Sequence, residues 1–124
     1  MLLRITPTQI RETDIVYIAE QLRQGAVIIY PTDTVYGIGC DISKPKAIER
    51  IAKLKNVKVE KANFTFMFHD LSHLADYTLP IDNEVFKLMK KSFPGPFTFI
   101  LNANNSIPKL FHNTKIKKII TVIW

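Results

Sequence analysis

The chain has 124 residues, 47% hydrophobic and 23% charged, with a formal net charge of +6 and a single cysteine, Cys40. That composition supports one globular core in one domain over residues 1–124 and leaves no room for a second. It also argues against several classes: no apolar run approaches the ~20 residues of a membrane-spanning helix, Met1-Leu-Leu-Arg-Ile lacks the long apolar region of a secretory signal, and one cysteine permits neither an intrachain disulfide nor a multi-cysteine metal site.

A cytoplasmic protein of a reducing compartment is therefore expected, with no membrane partner. The positive charge favours an anionic partner, a nucleotide or RNA. Part of the excess lies in Lys109, Lys115, Lys117 and Lys118, close to the end of the sequence.

In chain order, Leu2–Ile5 reads as a short strand and Thr6-Pro7-Thr8 as a turn. Ile15, Ile18, Ala19 and Leu22 recur at helical spacing, predicting an amphipathic helix over Arg11–Gln24 with Thr8 or Thr13 as its cap and Gly25 as its terminator. Val27–Tyr30 is a continuous apolar run, the pattern of a strand buried on both faces, and a second strand is expected over Gly37–Ile42. Ser43 as cap, Pro45 in the first turn and the apolar set Ala47, Ile48, Ile51, Ala52 and Leu54 predict a helix to about Lys55. Lys53, Lys55, Lys58 and Lys61 cluster at its end.

Phe64–Phe68 then reads as a strand, and Asp70-Leu-Ser-His-Leu as the start of a short helix. Asp82 or Asn83 caps a further helix with Val85, Phe86, Leu88 and Met89 as its apolar face, ended by Phe93-Pro94-Gly95-Pro96. Phe97–Leu101 is a strand, Asn102–Ser106 a polar turn, Ile107–Phe111 a helical turn and Ile119–Ile123 a last strand. Alternating helices and strands place the chain in the α/β class. A strand at Ile119–Ile123 with sheet partners missing is expected to leave an exposed apolar edge and poor solubility.

Tyr30 to Cys40, Tyr-Pro-Thr-Asp-Thr-Val-Tyr-Gly-Ile-Gly-Cys, is the most informative stretch. Pro31 has no N–H for a ladder and stops the strand, Thr32, Asp33, Thr34 and Tyr36 offer polar groups, and Gly37 and Gly39 are expected to let backbone approach a ligand. Cys40 reads as a buried, unreactive thiol. His69 and His73, four apart beside a capping Asp70, do not amount to a metal site.

With Gly25–Asp41, Ala47–Lys55, Asn63-Phe-Thr-Phe-Met, Asp70-Leu-Ser and Pro94-Gly-Pro-Phe-Thr-Phe-Ile-Leu101 following in order, the chain resembles the YrdC/YciO family, the threonylcarbamoyl-AMP synthase superfamily. Asn63-Phe-Thr and Phe86-Lys-Leu-Met-Lys90 are closer to its YciO branch. The resemblance implies a YrdC-like twisted mixed sheet whose concave face holds the ligand, with the C-terminal part missing. Main-branch members carry Lys-Xaa-Arg after the helix, where this chain has Lys55-Asn56-Val57. Lys58 stands one position past the arginine's place, and an ammonium does not reproduce a guanidinium fork on phosphate. Lys117–Trp124 falls where the family has a strand running into Arg-Xaa-Pro, and the later Ser-Xaa-Asn motif is absent.

The reaction implied by the resemblance joins L-threonine, bicarbonate and ATP, with Mg2+, into threonylcarbamoyl-AMP and pyrophosphate for tRNA modification. Such chemistry needs aimed donors and positive charge more than a nucleophile, and no catalytic residue is singled out. By resemblance Thr32 and Thr34 hydrogen-bond the amino acid or bicarbonate, Tyr36 walls the pocket, Lys55 neutralises phosphate or carboxylate, Lys58 partly replaces the arginine, and Thr98 completes the pocket from a neighbouring strand. Two other readings stand beside the enzyme, which is expected to be inactive as this truncated chain. One is a YciO-type protein that binds double-stranded RNA or tRNA without synthase activity; the other is a non-functional fragment.

Overall fold

The structure, a computed structural model, describes residues 1–32, 34–108, 110 and 118–123. Asp33, Lys109, His112, Lys115, Lys117 and part of the helical turn expected over Ile107–Phe111 lie outside the described residues. The chain divides into two compact units, Met1–Lys55 and Asn56–Trp124.

In the first unit, helix α1 spans Glu12–Arg23. Its cap is neither Thr8 nor Thr13 but Arg11, whose guanidinium forks onto Asp14 through Nε at 2.9 Å and Nη2 at 3.0 Å. That fork satisfies a carboxylate buried in the helix's first turn, where the helix dipole also favours negative charge. The other end follows the expectation: Gly25 has φ +92°, its N–H reaches Leu22 O at 2.9 Å, and the Ala26 N–H reaches Gln21 O at 3.0 Å. These two bonds make a Schellman stop, which needs the left-handed backbone that glycine adopts without a Cβ clash. Ile18, Ala19 and Leu22 are half-buried, whereas Ile15 is exposed.

The strand expected over Leu2–Ile5 does not form; a turn closed by Gln9 N–H to Thr6 O at 3.0 Å follows it. No described strand lies beside residues 2–5, and without a ladder partner β-propensity alone does not make a strand. Strands β1 (Ile28–Tyr30) and β2 (Gly37–Gly39) form an antiparallel hairpin with Tyr30 opposite Gly37 and Ile28 opposite Gly39. β1 is not buried on both faces as its composition suggests, for Ile29 is 73% exposed. Among the described residues this sheet has two strands, and nothing packs over the face that carries Ile29.

Helix α2 (Pro45–Leu54) buries Ala47, Ile48, Ile51 and Ala52, as its 3.6-residue period requires, while Leu54 is exposed. Ser43 does not cap it. The Ser43 N–H is bonded to Asp41 Oδ1 at 2.8 Å, and Lys44 takes the cap position ahead of Pro45. That bond, from the Ser43 backbone first, holds the Asp41 carboxyl below its ordinary pKa.

The second unit opens with a 3₁₀ turn at Val59–Lys61, followed by β3 (Thr65–Phe68), α3 (Leu71–Ala75), α4 (Asn83–Ser92), β4 (Phe99–Asn102) and β5 (Lys118–Ile123). Its sheet runs β3-β5-β4, with β5 parallel to β3 and antiparallel to β4, so it is mixed. β5 is therefore the central strand and not the exposed apolar edge expected for Ile119–Ile123: both of its backbone edges are paired. Side chains alternate along β3 and β4, with Phe66, Phe68, Phe99 and Leu101 on the covered side and Met67 and Ile100 exposed.

Asp70 caps α3 as expected, accepting from the His73 N–H at 2.7 Å and the Ser72 hydroxyl at 2.7 Å, which lowers its pKa. Phe68, His73 and Tyr77 form a ring triangle with centroids 5.6–5.7 Å apart. On α4, Asp82 occupies the cap position without a side-chain bond; of the expected apolar face Met89 is buried and Phe86 half-buried, with Val85 and Leu88 exposed. The polar turn after β4 is structural, since Asn104 Nδ2 donates to Asp76 O at 2.9 Å and Thr78 O at 3.2 Å and so ties residues 76–78 to the end of β4. Among the described residues no helix is long and apolar enough to cross a membrane.

Candidate functional site

Pro31 follows the last residue of β1, and the hairpin register leaves residues 31–36 as the connection to β2. Within it the Thr32 hydroxyl donates to the Val35 carbonyl, accepts from the Thr34 N–H at 3.2 Å, and lies 3.3 Å from the Thr34 hydroxyl. The loop's shape is thus set by a side chain bonding to backbone two and three residues on, the mechanism of a Ser/Thr turn. Thr34, Val35 and Tyr36 are exposed, Tyr36 to 76%.

Gly37 and Gly39 have a role other than the ligand approach expected of them. A Cβ on Gly37 would stand 2.9 Å from Tyr30 Cζ, and one on Gly39 would stand 3.0 Å from Tyr30 Cε1. The tyrosine ring from β1 lies across both glycines of β2, filling the face they leave empty. Alternating glycines opposite an aromatic residue signal this arrangement once the register is known.

Cys40 is half-buried just beyond β2, and burial first, then the Asp41 charge, push its thiol pKa up. A raised pKa means less thiolate at any given pH, so alkylation of Cys40 by iodoacetamide at pH 8 should run slower than that of free cysteine. A rate equal to or above free cysteine contradicts this.

Lys55 occupies the C-cap of α2, its N–H bonded to Ile51 O at 3.0 Å and its side chain exposed. A cation there complements the helix dipole whatever else it does. The chain turns at Asn56, φ +55°, a conformation asparagine tolerates better than most residues, and Val57 is 42% exposed at the place of the family arginine. Thr32, Thr34, Tyr36 and Lys55 belong to the first unit; Lys58 and Thr98 belong to the second. Lys58 is exposed and leads into the 3₁₀ turn, its carbonyl accepting from the Lys61 N–H at 3.0 Å. Thr98 is exposed and precedes β4, which pairs with β5. Among the described residues, no three His, Cys, Asp or Glu gather as a group that could hold a metal ion.

The sequence profile of the Sua5/YciO/YrdC family, described as telomere recombination, matches residues 20–122. This chain belongs to that family. Over 100 residues it is 42% identical to the uncharacterized protein YciO of Escherichia coli K12, covering 81% of this chain and 48% of that protein. It is 38% identical over 90 residues to a threonylcarbamoyl-AMP synthase of Nitrosococcus oceani, covering 73% of this chain and 48% of the relative. The chain thus spans about half the length of these relatives. The crystal structure of E. coli YciO superposes with a TM-score of 0.80 at 37% identity, covering 93% of this chain and 55% of that one. P. abyssi Sua5 complexed with L-threonine has the same fold, with a TM-score of 0.81 at 24% identity over 93% of this chain and 33% of its own. The α/β class and mixed sheet expected of a Sua5/YciO/YrdC member are what the chain adopts.

Proposed function

We propose that this chain carries part of a threonylcarbamoyl-AMP synthase site, in which L-threonine, bicarbonate and ATP give threonylcarbamoyl-AMP and pyrophosphate. The observation that carries this reading is the hydroxyl loop at the end of β1, with Thr34 and Tyr36 exposed beyond a backbone anchored by Thr32, in a chain of the Sua5/YciO/YrdC family. Synthase relatives and a family structure complexed with L-threonine support it.

On this reading the protein's work is positioning and charge stabilisation. Thr34 meets the amino acid, Tyr36 walls it, and the Lys55 ammonium neutralises a phosphate. Magnesium, where used, arrives with the nucleotide phosphates, since such ions are held by one or two carboxylates plus phosphate oxygens. The residues described offer no cage of their own.

A second reading, a YciO-type protein that binds double-stranded RNA or tRNA without turnover, is favoured by two observations. YciO is more similar than the synthase relative, at 42% against 38% identity, and Val57 replaces the family arginine. Pyrophosphate release that requires both threonine and bicarbonate supports the synthase; RNA binding that weakens steeply with salt, with no nucleotide consumed, supports the alternative. Lys55→Ala should weaken ATP binding by this chain about tenfold, the worth of a charge-assisted contact. Unchanged affinity removes Lys55 from the site.

A further inference from the structure

Helices α1 and α2 carry the same kind of apolar stripe, and the chain closes over only one of them. Ala47, Ile48, Ile51 and Ala52 of α2 are buried, none more than 5% exposed. The stripe of α1, at positions i, i+3, i+4 and i+7, is Ile15, Ile18, Ala19 and Leu22; the last three are half-buried and Ile15 is 49% exposed. The one α1 residue that the fold buries is Asp14, which the Arg11 fork already satisfies. An amphipathic helix gains from its stripe only as far as another surface covers it. The charges beside this stripe are also ordered, with Glu12 in the first turn of the helix and Arg23 in the last. Eleven residues apart, they stand within about 20° of each other around a helix of 3.6 residues per turn, on one edge of the stripe. Among the described residues neither is held in an ion pair; Arg23 acts on Asp41 from a distance, as the last of the causes that lower its pKa.

We propose that the Ile15–Leu22 stripe of α1 is an interface between two copies of this chain, packed antiparallel across a twofold axis, with Glu12 of each copy facing the partner's Arg23. A twofold axis through the middle of the stripe sets Ile15 against the partner's Leu22 and Ile18 against the partner's Ala19, so the apolar surface is its own complement. The same operation brings opposite charges together at both ends and opposes the two helix dipoles. Parallel copies would instead set glutamate on glutamate and arginine on arginine. Nucleic acid and anionic membrane fit less well, because Glu12 and the exposed Glu20 repel both and a phosphate backbone gains nothing from isoleucine or leucine. The 12 residues of α1 run about 18 Å, a short contact beside interfaces of ~800 Å² per partner, so the dimer is a dissociable one.

The test is sedimentation of the whole chain from ~5 to ~500 µM, the range in which a small interface is half formed. The mass should rise from 14.3 kDa towards twice that value and stop there. Ile15→Asp, at a position half in water within one copy, should raise the dissociation constant at least about tenfold with an unchanged circular dichroism spectrum. Leu88→Asp, an equally exposed site on α4, should leave it unchanged. Glu12→Arg and Arg23→Glu should each weaken self-association about tenfold, and an equimolar mixture of the two variants should recover it, since every facing pair is again of opposite sign. A mass of 14.3 kDa at every concentration overturns the proposal, as does growth beyond two copies or a mixture that fails to recover. Association that survives Ile15→Asp and is lost with Ile29→Asp places the contact on the hairpin and also overturns it.

Discussion

Leu74→Ala is expected to lower the unfolding free energy of the chain by about 3 kcal/mol, within the range for emptying a closed leucine site. Leu74 is 0% exposed in α3, the short helix that packs on β3. Its backbone is held on both sides, by its N–H to Asp70 O at 3.3 Å and by the Tyr77 N–H to its carbonyl at 3.0 Å, so the site has little freedom to collapse around a smaller side chain. Leu88→Ala on α4 is the matched control. Leu88 is 56% exposed, and its truncation should cost about 1 kcal/mol or less. Urea unfolding followed by far-ultraviolet circular dichroism gives both values, and equal costs would contradict the packing described. A loss of about 3 kcal/mol is a large share of the ~5–15 kcal/mol that holds most domains folded.

Gly37→Ala is expected to disrupt the hairpin that carries the loop, at about 1–3 kcal/mol, the usual cost of overpacking. The new methyl would meet two atoms of the Tyr30 ring, Cζ at 2.9 Å and Cε2 at 3.0 Å, and its hydroxyl oxygen at 3.1 Å. Gly37 does not have a left-handed φ, so the cost comes from the ring rather than from the backbone. That distinction makes a double-mutant cycle decisive. In a Tyr30→Ala background Gly37→Ala should be nearly neutral, giving a coupling of about 1 kcal/mol or more; additive losses would contradict the stacking. Hydrogen exchange at Ile29 and Ile38, whose backbones face each other across the hairpin, localises the effect.

Helix α2 was legible almost to the residue because Pro45 starts it and the spacing of Ala47, Ile48, Ile51 and Ala52 is a local property. The same holds for the end of α1, where one glycine in one conformation satisfies two orphan carbonyls. What escaped the sequence depended on partners distant in the chain. Leu2–Ile5 has strand composition and no strand beside it, Ile29 is apolar and uncovered, and the centrality of β5 comes from pairing Thr65 with Ile120 across more than fifty residues. At the candidate site the residue types Pro31, Thr32, Thr34 and Tyr36 were readable as a polar loop. The partner of the Thr32 hydroxyl was not, because it is the Val35 carbonyl, a backbone atom that every residue possesses. The glycines misled for a related reason: an empty face invites a ligand or a neighbouring ring, and only the register identifies Tyr30 as the occupant.

The order β3-β5-β4 also bears on biosynthesis. β3 and β4 do not hydrogen-bond each other, so neither has its ladder partner until residues 118–123 have been made. The parallel β3–β5 pairing joins strands far apart in the chain, and closing so long a loop slows sheet formation and lengthens the interval in which an unpaired strand needs chaperone cover.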